Sequence, residues 1–296
     1  MSETASLLAA LRARIDAIDD RLLALMMERM AVVEQIAAVK RQTSGDGPPL
    51  RPAREAQVLR RLVAAADGRF PADSLVRLWR ELFAAAIRAQ MPLVAAVCGE
   101  PAELREIARD HLGSITPLLA AEGPGHALRL LEEGRAQVAV VPMPAGGERW
   151  WSDLADSERA AFRVIARIPF LADPGLERAG LVVGTVPLEA SGDDRSLFVL
   201  RTAGEISRSR LLEGFLRSGL DPQILAVRAE GEGSSWLLDL AGFLDEHAPL
   251  LTNAGALLRE QLLRLRRIGA YATPLPVGAT RAAAAAPVSR SREEIG

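Results

Sequence analysis

Apolar residues recur at helical spacing almost from the start of the chain. Leu8, Leu11, Ile15, Ile18, Leu22, Leu25, Met26, Val32, Val33, Ile36 and Val39 mark one stripe over residues 6–40. No Gly or Pro interrupts it, and its Ala, Leu, Arg, Met and Glu residues favour helix. The pattern predicts a rod roughly 50 Å long at 1.5 Å per residue. Such a rod cannot bury its stripe against itself, so it needs two further helices or a partner chain. Residues 43–49 contain Gly45, Gly47, Pro48 and Pro49 and end the periodicity. A second helix is predicted over about 53–66, with Val58, Leu59, Leu62 and Val63 inward. A third runs over about 72–90 with Leu75, Leu78, Trp79, Leu82, Phe83 and Ile87 as its stripe, and Pro92 closes it.

From residue 93 the texture changes. Short apolar runs at 93–97, 115–120 and 137–141 alternate with helical stretches at 102–112 and 126–133, giving βαβαβ with parallel strands. Residues 145–190 predict one helix near 153–161 and strands near 162–168 and 180–184. A strand at 196–202, a helix at 208–217, strands at 224–229 and 235–240, a helix at 253–265 and a strand at 268–272 then make βαββαβ, the ferredoxin-like order. The expected fold is multidomain: an all-α three-helix domain at 1–91, a truncated α/β lobe at 92–190 and a ferredoxin-like domain at 191–278. The Ala-rich stretch 279–296 reads as a disordered tail.

Composition narrows the function classes. With 49% hydrophobic and 25% charged residues the chain has ample core for a soluble protein. A net charge of −2 gives no global attraction to nucleic acid or anionic membrane, so any anion binding is local. One cysteine, Cys98, excludes an internal disulfide and a cysteine-cluster metal site. No basic leader and no membrane-length apolar run is seen, and the expected location is cytoplasmic.

The cations of the first helix carry the chemistry. Arg29 and Lys40 lie eleven residues apart, about three turns, on the face that holds Leu22, Met26, Val33 and Ile36. Cations on an apolar face either snorkel to water or share an anionic ligand. Arg12 lies seventeen residues before Arg29, about 25 Å along the axis and on a different face, so it serves such a site only from an antiparallel partner. Gln90 falls on the apolar face of the third helix, one turn beyond Ala86, either as a satisfied core amide or as a ligand donor.

Five stretches in order, residues 11–19, 27–29, 39–40, 51–56 and 78–90, resemble the all-helical chorismate mutases, the intertwined-dimer class often fused to prephenate dehydratase. The resemblance implies that Arg12 crosses into the partner's site and that Arg29 clamps a substrate carboxylate. Lys40 and Gln90 would bond the breaking ether oxygen, Arg54 would face substrate, and Glu55 would take the ring hydroxyl. Arg51 stands where the family has an aspartate near that hydroxyl, and Ala86 where it has a serine near a carboxylate. The implied reaction, chorismate to prephenate, is a concerted rearrangement with no nucleophile, cofactor or metal. The expected catalytic set is thus Lys40, Gln90, Arg29 and Arg12, with Arg51, Arg54, Glu55 and Ala86 added for substrate binding.

The rest resembles a prephenate dehydratase followed by its ACT regulatory domain, with eroded motifs. Residues 133–142 match the family segment, but Met143-Pro144 replaces the Glu-Asn-Ser that follows it, and residues 98–103 and 178–181 lack the Gly-rich loop and the Thr-Arg-Phe element. The phenylalanine-binding signatures of the ACT domain are also missing, at 206–208 and 226–229. This half is therefore expected to be non-catalytic, for dimerisation or regulation, in a chorismate-binding homodimer with neither nucleic-acid nor membrane partners. Two alternatives stand beside it: a bifunctional mutase–dehydratase, and an inactive dimer regulating another shikimate-pathway enzyme. His111, His126 and His247 read as surface residues, and the Trp150-Trp151 pair as core.

Overall fold

The computed structural model describes residues 3–43, 49–144, 147–156, 161–172, 179–204, 206–258 and 261–276. The first helix, α1, spans Glu3–Thr43. Helix α2, Pro52–Ala66, starts with a proline at its first turn, where the missing N–H costs nothing, and stops at left-handed Asp67 (φ 51°). Helix α3, Ala72–Arg88, follows. Ala56, Leu59 and Val63 of α2 meet Leu75, Val76 and Phe83 of α3 in one buried cluster. That cluster also takes in Phe170, from the far half of the chain.

This arrangement departs from a simple three-helix bundle. α2 and α3 pack on each other, whereas α1 keeps its stripe in solvent: Leu11, Ile18, Leu22 and Ile36 are each 45–48% exposed. Of the α1 side chains, Ala37 is buried. The two following helices thus do not cover the rod.

The second half builds one mixed nine-stranded sheet, with strand order β2-β1-β3-β6-β4-β10-β7-β9-β8. Its parallel end is the anticipated βαβαβ: β1 Ala95–Cys98, α4 Glu103–Leu112, β2 Leu118–Ala121, α5 Pro124–Glu132 and β3 Val138–Pro142, with β1 central and parallel to both neighbours. A four-residue helix, α6 (Trp150–Asp153), ends where the helix predicted at 153–161 was to begin, and residues 157–160 of that prediction lie outside the described residues. Both tryptophans are buried there, at 3% and 0% exposure, in the core role expected of them. Strands β4 (Arg163–Ile168) and β6 (Gly180–Gly184) flank the short β5 (Leu171–Ala172), and β6 runs antiparallel between β3 and β4.

The other end is βαββαβ: β7 Asp194–Thr202, α7 Arg208–Arg217, β8 Gln223–Glu230, β9 Gly233–Ala241, α8 Pro249–Leu257 and β10 Leu262–Ala272. The order β10-β7-β9-β8, antiparallel throughout, is the ferredoxin-like arrangement. Ser207 caps α7 by accepting from the Arg210 N–H. The second helix of this unit is shorter and earlier than the predicted 253–265. Pro249 starts it, and residues 262–265 pair with β7 instead. A final short strand, β11 (Leu275–Pro276), pairs with β5.

Strand β10 runs parallel to β4 through the pair Gly269–Val164, so the two halves of the sheet are continuous. Gly269 permits this approach, because a Cβ there would lie 2.4 Å from the Val164 carbonyl oxygen. Nearby, the wholly buried Asp239 accepts from Tyr271 Oη (2.7 Å) and Arg195 Nε (2.9 Å), tying β9, β10 and β7 together. Burial still pushes its carboxyl upward, against the pull of both partners. No described helix is long and apolar enough to cross a membrane, and the expected tail, 279–296, lies outside the described residues.

Candidate active site on the face of the third helix

Helical periodicity places Leu82, Ala86 and Gln90 four residues apart along one line of α3 and its C-terminal turn. Arg29 of α1 reaches that line. Its Nη1 donates to the Leu82 carbonyl at 3.4 Å, and its guanidinium stands 5.7 Å from the centre of the Phe83 ring. Ala86 is buried, one turn further on. Gln90, two residues beyond the helix rather than inside it, donates its amide to the Ala86 carbonyl at 2.9 Å. Lys40 is exposed three turns along α1 from Arg29, and Arg12 is exposed far up the same helix.

The α2 residues divide between two faces. Arg51, just ahead of the helix, pairs with Glu189 at 3.0 Å, and Arg54 donates to Gln57 at 3.4 Å. Neither contact reaches the Arg29 line. Glu55 turns inward to a cleft shared with Phe83, Ala84, Ile87 and His111, where its Oε2 accepts from Arg80 Nη1 at 2.6 Å. The two side chains are only 14% and 5% exposed. The structure thus seats Arg29 at Leu82, with Ala86 and Gln90 one and two turns further along the same line, puts Glu55 in the cleft lined by Phe83, and pairs Arg51 and Arg54 elsewhere.

Arg80 was not singled out by the sequence reading. Arg80 is in phase with Val76, Phe83 and Ile87, so a cation on the buried stripe of α3 was the available signal. Burial lowers its pKa, and the charge and hydrogen bond of Glu55 oppose that. His111, expected at the surface, is half-buried on α4 and lines the cleft with Phe83, Ala84 and Ile87. Burial, and then the Arg80 charge, push its pKa well below the usual imidazole value.

Arg60, on the outer face of α2, holds the helices to the sheet. Its Nη1 donates to Ser191 O (3.2 Å) and Oγ (2.9 Å), and its Nη2 to Asp193 O (2.6 Å) and Thr273 O (3.0 Å). Gln57 adds a bond to Ala190 O at 3.3 Å. Across the interface Arg77 pairs with Asp110 at 2.9 Å, and Glu81 accepts from the Ser114 N–H at 2.8 Å. At the carboxyl ends of the parallel strands lie Cys98, Ala121 and Pro142-Met143-Pro144. The Cys98 thiol is buried there and pushed up to about 12, chiefly by burial, with Glu148 adding to it. Arg178, in the stretch compared with the Thr-Arg-Phe element, lies outside the described residues, and Gly180 and Leu181 are buried strand positions.

Residues 11–91, which hold this helix triplet, match the family described as chorismate mutase type II. The chain is also similar to proteins named bifunctional chorismate mutase/prephenate dehydratase. It is 33% identical over 143 residues to that of Pseudomonas aeruginosa, covering 46% of this chain and 38% of the relative. To that of Stutzerimonas stutzeri it is 30% identical over 147 residues, covering 48% and 40%. The aligned stretch thus spans well under half the length of either relative. Among solved structures, a prephenate dehydratase from Streptococcus mutans matches with a TM-score of 0.42 and 15% identity, over 60% of this chain and 97% of that one.

Proposed function

We propose that the chain is a chorismate mutase that rearranges chorismate to prephenate in a site on the α1–α3 face. The observation that carries this reading is Arg29 seated on the Leu82–Ala86–Gln90 line within the matched domain. The substrate is a flexible dianion, and the reaction transfers no proton and forms no covalent intermediate. Catalysis then requires two things: a clamp on the compact conformer, and donors for the negative charge growing on the ether oxygen. Arg29 and Arg12 suit the clamp, because a guanidinium binds a carboxylate in bidentate fashion. Lys40 and Gln90 suit the ether oxygen. Arg54, Arg51, Glu55 and Ala86 complete the proposed substrate contacts.

Arg12 joins this site only from a second copy, and the exposed apolar stripe of α1 supports a homodimer. We divide the chain into the mutase domain 1–91, a dehydratase-like lobe 92–190 and an ACT-like unit 191–278, of which the last two are non-catalytic. The support for that is chemical, since Met143 and Pro144 offer no acid, base or hydroxyl at the dehydratase position.

The test is incubation of purified protein with chorismate. Prephenate without phenylpyruvate is the expected product, phenylpyruvate would make the chain bifunctional, and no turnover would overturn the reading. Lys40→Ala is expected to lose kcat, and Arg12→Ala to raise KM as well. Mixing the two inactive variants should restore about one quarter of wild-type activity, because half the dimers then carry one intact site of two. No recovery on mixing would remove Arg12 from the site of its partner.

A further inference from the structure

Phe170 belongs to the α/β half, yet its ring is buried in the cluster of α2 and α3. Two guanidinium groups stand over its ring, Arg60 at 5.8 Å and Arg80 at 5.9 Å from the ring centre. Arg60 is fixed on its other side by four hydrogen bonds to Ser191, Asp193 and Thr273. Arg80 is fixed by its bond to Glu55 Oε2, and Glu55 lines the cleft together with Phe83. The chain of contacts runs from the sheet through Phe170 and Arg80 to the carboxylate next to Arg29's ring partner.

We propose that Arg80 is a positioning residue for Glu55, and that the α/β half completes the mutase site by seating Arg80 against Phe170. A glutamate is a long, rotamer-rich side chain, and a carboxylate that must meet one substrate hydroxyl gains from being held in a single orientation before substrate arrives. Arg80 supplies that hold through one oxygen, and its planar guanidinium lies against the ring in a way an ammonium does not reproduce. The non-catalytic half is then part of the active-site scaffold rather than an appendage. This inference rests on the mutase reading and on Glu55 contacting substrate.

The experiment is a double-mutant cycle on chorismate turnover in the full chain, using wild type, Glu55→Gln, Arg80→Met and the double variant, with Arg80→Lys and Phe170→Leu alongside. Arg80→Met should lower kcat/KM by about 100-fold, the scale of a roughly 1 Å misplacement, and Arg80→Lys should recover part of that loss. In the Glu55→Gln background Arg80→Met should add no further loss, because its whole effect passes through Glu55. Phe170→Leu keeps apolar volume and removes the ring faces, and should lower kcat by about tenfold while the protein stays folded. If Arg80→Met does not fold, Arg80→Lys and Phe170→Leu decide. Additive losses, or wild-type kcat/KM in folded Arg80→Lys and Phe170→Leu, overturn the inference and leave the mutase reading standing. Wild-type protein without turnover overturns both.

Discussion

Arg60→Met tests the docking of the helices on the sheet. The substitution keeps the aliphatic stem and deletes a guanidinium that makes four hydrogen bonds of 2.6–3.2 Å. Charge-assisted bonds are worth roughly 1.5–3 kcal/mol each when buried, so a naive sum exceeds 6 kcal/mol. Two facts reduce it. The Nη2 contact to Asp193 is exposed, and the acceptors keep other donors: the Asp193 carbonyl still receives the Thr273 N–H at 2.9 Å and Ser191 Oγ at 3.1 Å. A value near 0.5–0.7 kcal/mol per bond is then appropriate. Loss of the contact with Phe170 adds about 0.5–1 kcal/mol. The expected cost is about 3 kcal/mol. Urea unfolding followed by far-UV circular dichroism measures it, with Arg61→Met, an exposed neighbour on the same helix, as a control expected to stay within about 0.5 kcal/mol. A loss under about 1 kcal/mol for Arg60→Met, or equal losses for the two variants, would show that water replaces these bonds freely and that the interface does not depend on them.

Two other perturbations probe the same frame. Gly269→Ala places a methyl 2.4 Å from the Val164 carbonyl oxygen at the junction of the sheet halves; it should cost about 1–3 kcal/mol, and a thermal midpoint within 1 °C of wild type, a shift about the size of experimental error, would refute the close approach. His111 has a folded pKa well below 6.5, so below that pH the unfolded chain takes up a proton that the folded one refuses. Stability is therefore full above about pH 6.5 and falls as pH drops, by at most about 1.4 kcal/mol per unit from this residue. His111→Gln should flatten that slope between about pH 6.5 and 5 in urea titrations, and an unchanged slope would place the imidazole in water.

Periodicity sufficed for elements whose cores are local. The long first helix, the βαβαβ unit and the helix at 208–217 were legible because each keeps one clean period. Residues 253–265 were misassigned because Leu257, Leu258, Leu262 and Leu265 mimic a helical stripe, while Leu262, Arg264 and Arg266 alternate with the residues between them along a strand. Pairing with β7, a long-range contact invisible in a local window, decides it. The fusion of the two sheet halves hangs on Gly269 meeting Val164, about a hundred residues away in sequence, and no local pattern encodes that. Candidate site residues stood out in the sequence where a polar side chain broke an apolar stripe, as at Arg29 and Gln90. No such break marks the polar face of α2. There Gln57 and Arg60 bond to backbone carbonyls, which leave no signature in the sequence.

The two-sided use of α2 and α3 has a consequence for α1. Their apolar faces pack on each other and on Phe170, and their polar faces on the sheet, while Arg29 of α1 reaches the Leu82 carbonyl. Thirteen large apolar side chains of α1, from Leu7 to Val39, are 40–64% exposed. An isolated helix is held by propensity alone, and most helical stability in proteins comes from a packed face. If a second copy supplies that packing, as the proposed dimer does, then α1 folding, dimerisation and completion of the site by Arg12 are one linked equilibrium. Diluting the protein through the dimer dissociation constant should then lower specific activity and the 222 nm helical signal in parallel. Stability measured on the sheet through buried Trp151 and Trp236 should stay constant over the same range. Helicity that persists on dilution while activity falls would uncouple α1 from the partner. Activity per chain that stays constant down to monomer concentrations would mean the site is complete within one chain, and Arg12 would have no role in it.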